Sequence, residues 1–230
     1  MALLGWKGLR MTHVIGWRAI GRLLVGLLAL SLHSMAAQAA QWVRVTTSMG
    51  DFVIELNPQR SPITVANFLR YVREGHYSGT LFHRVVSNFV VQGGGYAAAD
   101  YKLKPTHEGV ANESGNGLRN QRGTVGLARA ADPHSGNAQF YVNLADNPDL
   151  DPVPTRWGYA VFGNVVQGMD VVERIGVMPT GKMGPFKSEA PLTPVLIQKV
   201  ELIDAAAAPA AEPVEPAPSP SAPPAPTPTE

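Results

Sequence analysis

Alternation of apolar and polar residues begins at Trp42. Trp42–Thr47 and Phe52–Leu56 each read as a short strand, and Ser48-Met49-Gly50-Asp51 reads as the turn of a β-hairpin between them. The period then changes. Val65, Phe68, Leu69 and Val72 fall at i, i+3, i+4 and i+7, which is one apolar stripe of a helix. Ser61 as N-cap, Pro62 at the first helical position and Gly75 just past the end punctuate that helix. Strand patterns resume at Thr80–Val86, Phe89–Gln92, Thr124–Arg129, Gln139–Asn143, Tyr159–Phe162 and Val195–Ile203, separated by Gly- and Asn-rich connections. A second helix is predicted over Met169–Ile175, between Gly168 and Gly176, and no internal repeat is present.

About eight strands with two helices predict a mainly β fold, whose open sheet edges need cover. A closed eight-stranded antiparallel β-barrel capped by two α-helices supplies it, although a two-sheet sandwich would give similar strand signals. The ends of the chain read differently. Residues 1–39 carry Lys7, Arg10, Arg18 and Arg22 and no acidic residue, then the apolar stretch Leu23–Leu32 and the small-residue site Ala37-Gln38-Ala39. This is the pattern of a cleavable secretory signal peptide, and a start at Met11 would give its basic region a more usual length. The apolar core of about ten residues is short of the ~20 that a spanning helix needs, so no stable membrane insertion is expected after cleavage. Residues 205–230 are almost entirely Ala, Pro, Ser, Thr and Glu, with nine prolines from Pro209 onward, and predict a disordered tail. The expected organisation is therefore a signal peptide over 1–39, one domain over 40–204, and a tail over 205–230.

Composition narrows the chemistry. Removing the four basic residues of the signal from 19 Lys+Arg leaves 15 against 18 Asp+Glu, moving the net charge from +1 to −3. No basic tract survives, so nucleic acid is not an expected partner. There is no cysteine, which removes disulfides and thiolate chemistry and suits an exported protein that folds without oxidative help. His76, His83, His107 and His134 are scattered, and neither a G-x-S-x-G elbow nor a P-loop occurs. Gly93-Gly94-Gly95 reads as a permissive turn, and the acidic residues Asp146, Asp149 and Asp151 as a solvated loop.

What remains is the segment Phe82–Gly95, in which Arg84 interrupts a strand-like apolar run. Arg84, Phe89 and Gln92 are close enough to line one concave face across a strand–turn–strand. They supply a fixed cation, an aromatic wall and an amide, a set suited to a small peptide site.

On these residues the chain resembles the cyclophilins, and in particular their bacterial periplasmic members. The resemblance runs from about Val43 to Leu202. It rests on Phe82–Gly95, Asn116-Gly117-Leu118-Arg119-Asn120, Gly123–Ala130, Gln139-Phe140-Tyr141 and Gly158–Gly163, in that order. It implies the capped barrel and a cofactor-free, metal-free peptidyl-prolyl cis–trans isomerase in the periplasm. Monomeric protein and proline-containing polypeptide clients are expected. A domain that holds proline segments as a chaperone or adaptor, without useful turnover, is the alternative.

The resemblance also implies residue roles. Arg84 becomes the catalytic donor and Phe89, Val90, Tyr141 and Leu150 the pocket for the proline. Gln92 and Gln139 bind backbone groups, and Ala128, Arg129 and Tyr159 line the peptide groove. Departures are visible too. Many members carry methionine where Val90 stands, phenylalanine at Tyr141, asparagine at Arg129 and histidine at Tyr159. Asp149 occupies the place of a tryptophan in cyclosporin-sensitive members, which implies weak cyclosporin binding.

Overall fold

The computed structural model describes residues 41–204; the predicted signal segment and Pro-rich tail lie outside them. β1 (Gln41–Thr47) and β2 (Gly50–Leu56) form the expected hairpin. Its turn is tied by the Thr47 hydroxyl, which donates to the Gly50 carbonyl at 2.7 Å and accepts from the Met49 N–H at 3.0 Å. α1 follows (Pro62–Arg73), then β3 (Thr80–Val86), β4 (Val90–Ala97), β5 (Thr124–Leu127), β6 (Phe140–Asn143) and β7 (Val161–Gln167). α2 (Met169–Gly176), β8 (Thr180–Met183), β9 (Phe186–Pro191) and β10 (Val195–Ile203) complete the order. Eight strands close into an antiparallel barrel in the order β1-β10-β3-β4-β6-β5-β7-β2, and the two helices cap it. The barrel expectation holds and the sandwich does not.

α1 buries the predicted stripe Val65, Phe68, Leu69 and Val72 in the barrel core. Phe68 is fully buried and meets Tyr77, Phe140 and Phe162 with ring centroids 5.1–5.7 Å apart. Ser61 stands at the N-cap but does not cap: its hydroxyl donates to the Val161 carbonyl at 2.7 Å. The free helix amides of Ile63 and Thr64 are taken instead by the Glu113 carboxylate, at 3.1 and 2.7 Å, from fifty residues away in the chain. Gly75 does follow the helix with φ 67°, as a C-terminal glycine should.

Three other departures bear on function. Gly93-Gly94-Gly95 is not a turn but the middle of β4, where added side chains would collide with neighbours; a Cβ on Gly95 would meet the Gln139 side chain at 2.6 Å. Asp151 is not solvated: it is 6% exposed and accepts from the Asn120 backbone and side-chain N–H groups at 2.9 and 3.0 Å. Finally, β8 and β9 form a separate two-stranded sheet that the hydrophobic pattern does not announce.

Candidate active site

The pleat of β3 decides which way Arg84 points. Strict alternation would put Phe82 and Arg84 on one face. The register instead slips: Phe82 pairs with Gly93, and Arg84 with Gln92, so one extra residue, His83, is accommodated on β3. This is a β-bulge, and it lets Phe82 and Val85 both enter the core while His83 and Arg84 turn outward. Arg84 therefore sits on the outer wall of the barrel, level with Gln92 on β4. Gln92 is in turn level with Tyr141 on β6, and Tyr141 with Gly126 on β5.

Across this wall runs a cleft of about 330 Å³. Arg84, Val90, Gln92 and Tyr141 line it from the strands, and Phe89 from the β3–β4 turn. Ala128, Arg129, Leu150 and Tyr159 close it from the connections after β5, at the 3-10 turn Pro148–Leu150 and before β7. Nine of the ten residues expected at the site thus meet in one cavity. The tenth, Gln139, stands just behind it and accepts a hydrogen bond from Gln92 Nε2 at 3.0 Å.

Each wall is held from outside. The Phe89 carbonyl accepts from Leu144 N–H and Asn147 Nδ2, both at 2.9 Å, which ties the turn to the loop after β6. Tyr141 is 4% exposed, and its ring lies where a Cβ on Gly126 would come within 2.2 Å of it, so residue 126 has to be glycine. Burial pushes the Tyr141 phenol well above its usual pKa, keeping the O–H as the donor to Asn120 Oδ1 at 2.6 Å. Tyr159 is anchored by its N–H to the Leu150 carbonyl at 2.8 Å. That bond keeps it out of β7, which starts two residues later than the pattern predicts.

Arg129 lines the cleft as expected, and its contacts show how it is held. Its guanidinium stacks 4.4 Å from the centre of the Tyr159 ring. It donates to the carbonyls of Gly158 (3.1 Å), Trp157 (2.9 Å) and Ala130 (2.9 Å). With those donors on backbone, it acts as a clamp on the Tyr159 wall more than as a free cation for substrate. Two residues that sequence reasoning gave no role complete the support. Asn120 (2% exposed) links Tyr141 to Asp151, and Glu189 on β9 reaches Arg84. The dipeptide Gly184-Pro185 was the turn signal that could have revealed the β8–β9 hairpin carrying Glu189.

The structure is thus a capped eight-stranded barrel with an arginine-edged cleft, part apolar and part polar, on its outer wall. Residues 42–202 match the family described as Cyclophilin type peptidyl-prolyl cis-trans isomerase/CLD. The chain belongs to this family, and its activity is cis–trans isomerisation of X-Pro peptide bonds. Peptidyl-prolyl cis-trans isomerase A of Dickeya dadantii is 44% identical over 170 residues, covering 74% of this chain and 88% of that protein. Peptidyl-prolyl cis-trans isomerase cyp18 of Streptomyces antibioticus is 47% identical over 164 residues, covering 70% and 98%. Among solved structures, a cyclophilin-type isomerase of Cryptosporidium parvum shares the fold, with TM-score 0.59 at 22% identity over 72% of this chain and 99% of that one.

Proposed function

We propose that Arg84 is the donor that drives X-Pro rotation in this chain, and that its clients are proline-containing polypeptides in the periplasm. The observation that carries the first half is the placement of the Arg84 side chain beside Phe89, Val90, Tyr141 and Leu150 in one cleft. A cation there borders the apolar hollow that a proline ring would fill.

The physics of the reaction explains why that is enough. Amide resonance sets a rotation barrier of ~18–20 kcal/mol. Twisting the bond localises a lone pair on the prolyl nitrogen, so a donor aimed at it stabilises the transition state more than either isomer. Arginine stays protonated and presents several N–H groups in a rigid plane. One charged hydrogen bond, worth about 1.5–3 kcal/mol, accounts for only some ten- to a hundredfold in rate. The remainder falls to the pocket, which excludes water and grips the ring. No covalent bond is broken, so the rotation calls for no nucleophile, metal or cofactor.

Arg84→Ala should fold normally and lose most isomerase activity in a proline-peptide assay; full retained activity would overturn the role. Measuring aggregation suppression on the same pair of proteins separates turnover from mere holding of proline segments. The proposed location rests on the signal-like pattern of residues 1–39 and the absence of cysteine. Protein recovered from the periplasmic fraction should begin near Ala40 by mass spectrometry and behave as a monomer. An unprocessed chain confined to the cytosol would contradict that part.

A further inference from the structure

β9 brings a carboxylate to the arginine. Glu189 Oε2 accepts from Arg84 Nε at 2.8 Å, and among the described residues this is the hydrogen bond the Arg84 side chain makes. Glu189 has φ 61°, a left-handed conformation that a residue with a side chain adopts only when its surroundings impose it. The surroundings here are clear. Phe186, three residues earlier on β9, packs against His83 (5.5 Å) and edge-on against Tyr96 (4.9 Å, 88°). The two outward residues of the β3 bulge, His83 and Arg84, therefore meet two residues of one strand of the hairpin.

Stability is a poor reason for such an arrangement. Both partners are well exposed, at 35% and 45%, and exposed ion pairs contribute little to folding. Orientation is a better one. An arginine side chain is long and free to rotate, whereas one bound at Nε and resting on the Phe89 ring, 5.7 Å from its centre, has a fixed plane. We propose that Glu189 is a positioning residue for Arg84: it takes Nε and leaves the Nη N–H groups to the prolyl substrate. This inference rests on the role of Arg84 proposed above. A nearby anion weakens the positive field at the prolyl nitrogen, so the gain comes from preorganisation and not from added charge.

The test uses the full chain and an Ala-Pro peptide. Glu189→Ala should lower kcat/KM by about tenfold, ~1.4 kcal/mol, while peptide Kd from an NMR titration stays within about twofold. Glu189→Gln keeps the acceptor oxygen without the charge and should restore kcat/KM to within about twofold of wild type. In an Arg84→Ala background, Glu189→Ala should have no further effect. The Arg84 Nε–H resonance should be slow to exchange in the wild type, broaden or vanish in Glu189→Ala and return in Glu189→Gln. If Glu189→Ala keeps full activity while Arg84→Ala is inactive, positioning is wrong and the Arg84 role stands. Failure of Glu189→Gln to rescue, or an equal loss in the Arg84→Ala background, also overturns it. An active Arg84→Ala removes both proposals.

Discussion

Asp149 is exposed on the 3-10 turn that ends at Leu150, and Arg156 Nη2 donates to its backbone carbonyl at 2.8 Å. The resemblance to the cyclophilins implies that it stands where cyclosporin-sensitive members carry a tryptophan. A carboxylate offers neither the indole N–H nor the flat ring face, so a large apolar macrocycle loses both a donor and a stacking surface. Inhibition by cyclosporin should accordingly need micromolar or higher concentrations, and Asp149→Trp should tighten it. Nanomolar inhibition of the wild-type chain would show that this rim position does not control binding. The same scale explains Arg129. It lines the groove, but its donors reach the backbone carbonyls of 130, 157 and 158, and its charge is partly spent there.

At the scale of elements, the bulge in β3 and the β8–β9 hairpin act together. The bulge places His83 under the hairpin, 7% exposed, between Tyr96 and Phe186. Burial there, with the Arg84 charge beside it and only the Leu81 carbonyl opposing, pulls the His83 pKa from 6.5 to about 4. The sign follows from proton counts: between those values the unfolded chain holds a proton on this histidine and the folded chain does not. His83 therefore costs no stability above pH 6.5, and its contribution is lost progressively as the pH falls toward about 4, by about 3 kcal/mol in all. His76 adds in the same direction, its pKa lowered first by burial and then by Lys104. Urea unfolding at a series of pH values should show this slope, and His83→Leu should flatten most of it. An unchanged slope in His83→Leu would place the acid sensitivity elsewhere.

Over the whole molecule, the site is a by-product of a closed barrel. Its outer wall is rigid because its inner wall is packed. Val91, Phe140 and Val142 fill the core from the same strands that present Gln92 and Tyr141 outward. Phe68 of α1 locks that core to the helix through Tyr77, Phe140 and Phe162. Phe68→Ala should destabilise the domain by about 3–5 kcal/mol, read from the urea midpoint at constant m. A loss below about 1 kcal/mol would mean that the helix does not depend on this contact.

The sequence by itself determined the β-rich domain, both helices and the grouping of Arg84, Phe89 and Gln92, and its resemblance to the cyclophilins supplied the other residues of the cleft. Apolar periodicity is a local signal that survives without coordinates, and the motif residues from Arg84 to Tyr159 lie in blocks that pack as units. The hairpin at 180–191 escaped because its strands are short and its residues mostly exposed or half-exposed, so no apolar alternation marks them. Three matters were decided only by the tertiary structure. The bulge that turns Arg84 out of the barrel depends on the register of β4, and register is a property of two strands. Helix α1 is capped by Glu113 and not by its own Ser61, because the Ser61 hydroxyl found the Val161 carbonyl first. Glu189 meets Arg84 across 105 positions of chain. That contact exists because a small sheet, anchored by Phe186 on His83, lies over the one strand where the arginine emerges.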